Sequence, residues 1–177
     1  ESLCQYDLTN YPTFLNLMGS TSAQQASVDS GLREDWTFKY IQKLFFYRRF
    51  EEIFPQIELF QGTASNSVQL EAVSEYKMAA LFERGLKKAI EGANLKNPSQ
   101  SNERWSEARS NLEEFLTLDS SFGRTNYSVL TNRDLEENAW RAHIVLGDPQ
   151  TAYSTIPAGD TNDQERFHYL RIQLLQQ

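Results

Sequence analysis

The side chains that most often carry chemistry are scarce in this chain of 177 residues. It contains one cysteine, Cys4, and two histidines, His143 and His168. A zinc site needs several Cys, His or carboxylate ligands that converge on one point, but the two histidines belong to different predicted helices. The sequence therefore predicts neither a metal site nor a bound cofactor.

Paired carboxylates could act as general acid and base, and neighbouring glutamates occur at residues 51–52, 113–114 and 136–137. Adjacent residues on a helix point in different directions, so these pairs are typical of solvated helix faces. His143 shares a helical stripe with Ala139 and Trp140, which favours a packed histidine over a catalytic one. The sequence has no glycine-rich phosphate loop, Gly-x-Ser-x-Gly elbow or Cys–His pair. We therefore expect that the protein is not an enzyme.

The charge balance is acidic, with 17 Lys and Arg against 24 Asp and Glu, a formal net charge of −7 and a pI of about 4.9. This balance disfavours broad attraction to nucleic acid or anionic lipid, although it leaves room for a local basic face. The single cysteine cannot form an internal disulfide, which favours the cytoplasm or the nucleus. No stretch approaches the roughly 18 to 20 apolar residues that span a bilayer.

Apolar residues recur at helical spacing along most of the chain. Between residues 34 and 61, two such sets predict two helices that meet near residues 47–49, and a longer helix is predicted from Val68 to about Glu91. Further helices are predicted over residues 103–118, 133–146 and 163–177, with a short one after Pro149. The sequence therefore predicts an all-α fold of about seven helices.

Residues 1–33 are predicted to form an N-terminal cap helix and a linker. Pro12 suits the first turn of the short cap helix, and the polar stretch from Gly19 to Gly31 predicts a loop. Residues 92–102 are rich in Gly, Asn and Ser and predict a second loop, which is the best candidate for a hinge. The remainder, residues 34–177, is predicted to be one helical domain.

The segment 104–119 places Ala108, Leu112 and Phe115 four and three residues apart and ends on Leu-x-Leu-Asp. This stripe resembles the second helix of a tetratricopeptide (TPR) repeat, where a small residue lets two helices approach closely. Tyr-Arg-Arg-Phe-Glu-Glu-Ile at residues 47–53 and Leu-Gly-Asp-x-x-x-Ala at residues 146–152 resemble TPR turns. The resemblance implies TPR-like antiparallel helical hairpins, stacked as a short α-solenoid over residues 34–177.

The matched small positions are Ile53, Ala108 and Ala152, which lie about 55 and 44 residues apart, whereas regular TPRs repeat at about 34. The repeats are therefore degenerate, and Ile53 in place of the usual Ala predicts a wider helix separation. A compact helical bundle without repeats is the alternative architecture.

The resemblance implies a scaffold or adaptor protein that holds a partner peptide or helix on a concave face lined by the first helix of each pair. Polar residues predicted on those helices are Lys39, Lys43, Lys77, Arg84, Asn138, Arg141 and Arg171. The alternative function is an RNA-binding helical repeat, for which the basic members of this set would form the stripe. The net charge of −7 works against that alternative.

TPR proteins that clamp the C-terminal carboxylate of chaperones use Lys and Asn on one first helix, then Lys and Arg on a later one. The corresponding face of the first pair carries Asp35, Phe38, Lys39, Gln42 and Lys43, and that of the third carries Asp134, Glu137, Asn138 and Arg141. The clamp is not reproduced, so we expect no binding of a chaperone C-terminus.

The last predicted helix carries an apolar stripe at Phe167, Leu170 and Leu174. Terminal repeats normally present a polar outer face, so this stripe is expected to be an interface edge. We expect either that the natural chain continues beyond Gln177 or that this edge docks against another subunit of an assembly. The alternative is that the preceding pair buries it fully.

Overall fold

The computed structural model describes residues 26–122 and 132–155. Every regular element in these residues is an α-helix, which confirms the predicted all-α class at this level. The six helices are α1 (Ala26–Phe46), α2 (Phe50–Thr63), α3 (Ser67–Asn94), α4 (Pro98–Phe122), α5 (Asn132–Val145) and α6 (Pro149–Thr155). The predicted cap helix near Pro12 and the predicted helix over residues 163–177 lie outside the described residues.

The chain divides into two compact units, residues 1–80 and residues 81–177, so that the division falls within α3. In the first unit, α1 and α2 form an adjacent pair that packs with the start of α3. The ring centroids of Phe45 and Tyr76 are 4.8 Å apart, and those of Phe38 and Phe60 are 5.9 Å apart. Its fully buried apolar side chains include Ile41, Leu44, Ile53, Ile57, Phe60, Val73 and Met78.

In the second unit, the last part of α3 runs antiparallel to α4, and α5 pairs with α6. The antiparallel direction follows from the order of the contacts, because residues later in α3 contact residues earlier in α4. These contacts join Phe82 with Phe115, Gly85 with Leu112, Lys88 with Glu107 and Gly92 with Trp105. A separate small core forms where Trp140 packs with Ala152, and Ile144 covers it.

The α1–α2 pair and the α5–α6 pair are connected by turns with the same hydrogen-bond pattern. After α1, Arg49 N–H donates to the carbonyl of Leu44 at 2.8 Å, and Arg48, with a φ of 55°, takes the left-handed conformation. After α5, Asp148 N–H donates to the carbonyl of His143 at 2.8 Å, and the left-handed residue is Gly147. These are Schellman endings, and they lie at the two turns that the sequence predicted.

Helices occupy part of both stretches that were predicted to be loops. Helix α1 begins at Ala26, inside the stretch that was predicted to be a loop up to Gly31. The predicted loop over residues 92–102 shrinks to residues 95–97, because α3 continues to Asn94 and α4 begins at Pro98. The side chain of Asn97 caps α4, since its Oδ1 accepts from the N–H groups of Ser99 (3.0 Å) and Gln100 (3.4 Å). Proline suits the first helical position because its nitrogen has no hydrogen to leave unpaired.

Helices α3 and α4 are long, at 28 and 25 residues. A regular TPR fits two helices and their turns into about 34 residues, so α3 and α4 cannot form a regular TPR pair. Ala108 is buried near the middle of α4 rather than just after a turn. Ile53 and Ala152, by contrast, each lie five residues after a left-handed turn residue, and both are fully buried.

Candidate partner-binding surface

The predicted contact residues of the first unit lie on α1 and α3. Lys39 is exposed, and its Nζ lies 5.5 Å from the ring centroid of Trp36, within cation–π range. Lys43 and Lys77 are half-buried. Lys39 therefore presents its charge beside an aromatic surface, whereas the other two lysines are partly covered by the unit itself.

In the second unit, Arg84 takes part in packing between helices. Its Nε donates to Oδ1 of the buried Asn111 at 2.7 Å, and Asn111 Nδ2 donates to the backbone carbonyl of Glu107 at 2.6 Å. Arg141 is exposed beside the Trp140 ring at 5.5 Å, and Asn138 is half-buried. The remaining predicted contacts lie outside the described residues, namely Arg171, Phe167, Leu170 and Leu174.

A layer of charged side chains joins the end of α3 to the start of α4. Glu107 accepts from Arg104 Nη1 at 2.8 Å and lies 3.1 Å from Lys88 Nζ. Arg104 also reaches Glu91, with 3.5 Å between Nε and the carboxylate oxygen. The hydrogen bond from Arg104, followed by that from Lys88, lowers the pKa of Glu107, while partial burial opposes the shift. The charges of this layer are thus held by one another.

A surface cavity of about 510 Å³ opens beside this layer, where α3 ends. Two large apolar side chains of this cavity are exposed to solvent: 62% of Ile90 and 38% of Leu95 remain accessible. The cavity is lined by Ile90, Glu91, Asn94, Leu95, Gln100, Glu103 and Arg104. It therefore combines an accessible apolar floor with charged groups of both signs.

A second cavity of about 360 Å³ lies on the neighbouring face of α4, towards the end of α5. Trp105 lines it and remains 39% exposed. The indole also packs on Gly92 of α3, where an added Cβ would lie 3.0 Å from Trp105 Cδ1. We call Ile90, Leu95 and Trp105 together with the two cavities the α4 surface.

Among the described residues, no group of three or more His, Cys, Asp or Glu could hold a metal ion. Partly buried His143 lies with Nδ1 4.0 Å from Oδ2 of Asp148, whose pKa is lowered chiefly by its hydrogen bonds with Thr151. That carboxylate caps α6, so it has a structural role.

No helix of the described part combines the length and apolar content that crossing a membrane requires.

Comparison of the chain with models of known protein families, with curated proteins and with solved structures gave no match.

The sequence did not single out the α4 surface. Ile90 lies near the end of the helix that was predicted from Val68 to about Glu91, and most of its side chain is accessible. Leu95 and Trp105 were assigned no role. The sequence did contain a local indication of this surface. Ile90 and Leu95 lie on either side of Gly92 and Asn94 at the end of a helix, where an apolar stripe stops packing against the neighbouring helix.

Proposed function

We propose that this protein is a non-enzymatic scaffold or adaptor within a larger assembly, and that the α4 surface holds a helix of a partner protein. The observation that carries the proposal is the joint exposure of Ile90 and Leu95 along one cavity. Exposed apolar groups clustered within a polar rim mark interaction sites. An amphipathic helix would place apolar residues of one face against this floor.

The charged rim supports a specific orientation of such a helix. Glu91, Glu103 and Arg104 border the same cavity, and complementary charges at a rim fix register and favour the correct partner. The ion pairs of Arg104 with Glu107 and Glu91 hold two of these three side chains, Arg104 and Glu91, in place before binding. These side chains would then lose little conformational entropy on binding, so the entropic cost of association would be small.

The TPR-like part of the proposal rests on the two hairpins α1–α2 and α5–α6. They share the left-handed turn and a fully buried residue five positions later, Ile53 in one and Ala152 in the other. In repeat proteins, arrays of helical hairpins serve as binding scaffolds. The exposed Lys39 remains a proposed contact on the first helix of its pair.

The proposal can be tested by photo-crosslinking. A photoreactive amino acid replaces Asn94, which lines the cavity, or Glu58, an exposed residue of α2 that serves as the control position. Proteins from the source cells that crosslink only from position 94 are identified by mass spectrometry. The strongest candidate is then purified and its affinity is measured by calorimetry.

Two matched substitutions decide whether the α4 surface is the binding site. Ile90→Asp should weaken binding at least about tenfold, equivalent to about 1.4 kcal/mol, because a charge replaces the apolar floor. Val68→Asp is the control, since Val68 is equally exposed at 69% but lies at the start of α3. Equal affinities for the two variants, or no crosslink specific to position 94, would overturn the proposal.

A further inference from the structure

The turn between α1 and α2 carries an exposed aromatic side chain. Phe46 is 76% accessible, and its ring lies 5.2 Å, centroid to centroid, from the edge-on ring of Tyr47. The two arginines of the turn follow directly. We call Phe46, Tyr47 and Arg48 the hairpin tip.

Arg48 occupies a backbone position that glycine fits better. Its φ of 55° lies in the left-handed region, which costs free energy for residues with a Cβ atom. Gly147 holds the equivalent position after α5, where the hydrogen-bond pattern is the same. The turn therefore needs a left-handed residue but not an arginine, and a residue kept in such a conformation points to a role beyond folding.

The side chain of Arg48 is available to a partner. It is exposed, and it forms no hydrogen bond or ion pair with any residue that the structure describes. The adjacent Arg49 differs, because its guanidinium pairs with Glu52. Arg48 thus offers its N–H donors next to the uncovered ring of Phe46.

We propose that the hairpin tip binds a peptide segment of a partner protein in which a carboxylate lies beside an apolar side chain. A guanidinium donates two parallel hydrogen bonds to a carboxylate, and Phe46 supplies the apolar contact. A polyanion such as RNA or an anionic membrane fits less well, because exposed Glu51 and Glu52 follow the tip and the chain carries a net charge of −7. This surface belongs to the unit of residues 1–80 and is independent of the α4 surface.

The test uses fluorescein-labelled peptides of defined chemistry and the full chain. The acidic peptide carries one Asp next to a Leu within an otherwise uncharged sequence, and its neutral partner has Asn in place of that Asp. Fluorescence anisotropy should show binding of the acidic peptide with a dissociation constant below about 1 mM, and at least about tenfold weaker binding of the neutral one. Absence of binding, or equal binding of both peptides, would overturn the proposal.

Substitutions separate a binding role from a structural one. Arg48→Gly should raise the denaturation midpoint, because it relieves the left-handed strain, and yet weaken binding of the acidic peptide about tenfold. Phe46→Ser should weaken binding without lowering that midpoint. Arg33→Gln is the control, since Arg33 is an exposed arginine of α1 outside the tip, and it should leave both quantities unchanged.

Two results with other ligands would also overturn the proposal. The first is Arg48-dependent binding of single-stranded RNA in place of the acidic peptide. The second is Arg48-dependent binding of phosphatidylserine vesicles in place of that peptide. Unchanged peptide affinity in Arg48→Gly would overturn it as well, because the guanidinium would then have no part in recognition.

Discussion

Gly85 shows how closely single residues fit in the second unit. A Cβ added there would lie 2.7 Å from both Cγ and Cδ2 of Leu112, whose side chain is fully buried. Overpacking of this kind costs about 1–3 kcal/mol, while alanine regains up to about 1 kcal/mol of helix propensity. We expect Gly85→Ala to lower the free energy of unfolding by about 1 kcal/mol net, as measured by urea denaturation.

Gly31 provides the matched control for Gly85. It lies within α1, and an added Cβ would meet nothing within 4 Å. Gly31→Ala should therefore stabilise the protein by about 0.5–1 kcal/mol through helix propensity alone. Equal effects of the two substitutions would show that the close approach of α3 and α4 at Gly85 does not occur in solution.

At the scale of helices, Asn97 defines where α4 begins. Its side chain satisfies two N–H groups that the helix itself leaves without partners. Asn97→Ala should lower the free energy of unfolding by about 1 kcal/mol. Asn97→Asp should retain most of the stability that the cap provides, because an acidic side chain also suits the helix dipole. Asn102→Ala, at an exposed position within α4, should have less effect; a loss as large as that of Asn97→Ala would refute the capping role.

The charged layer between α3 and α4 should make stability depend on pH. Because Arg104 and then Lys88 lower the pKa of Glu107 in the folded protein, its stabilising contribution is complete above the unfolded-state pKa. It is lost as the pH falls through the lowered, folded-state value. Glu107→Gln should therefore be modestly destabilising at about pH 7 and less destabilising at about pH 3.

Urea titrations at several pH values would check this dependence. Glu58→Gln, on the exposed side of α2, provides the control and should show little change between the two pH values. Added salt should also reduce the effect of Glu107→Gln at neutral pH, because the side chains of Arg104 and Glu107 are more than one-third exposed. A destabilisation by Glu107→Gln that grows as the pH falls would contradict the expected sign.

At the scale of the whole molecule, the net charge of −7 sets the response to nucleic acid. Binding to RNA without sequence preference draws its free energy from released counterions and requires clustered cations. We expect no gel shift with single-stranded RNA even at low ionic strength, where such binding is strongest. A shift that disappears as salt is added would favour the RNA-binding alternative over the protein scaffold.

The sequence by itself determined the helical class and the places where both hairpins turn. Apolar spacing of three and four residues fixes which side chains share one face of a helix, and this pattern is local. The stop after Leu146 is local as well, because Gly147 readily takes the left-handed conformation and Pro149 starts the next helix. The predicted loop over residues 92–102 was longer than the observed one. The composition of this stretch concealed the cap at Asn97 and the helical start at Pro98.

The tertiary structure alone decided which helix faces are covered. Ile90 has the same spacing as buried residues of α3, yet most of it stays accessible, because no described helix crosses over it. Asn111 is polar but buried, since Arg84 from a distant part of the sequence satisfies its amide oxygen. Periodicity specifies a face, whereas burial depends on where segments far apart in the chain meet. The α4 surface could therefore be found only after the helices had been placed.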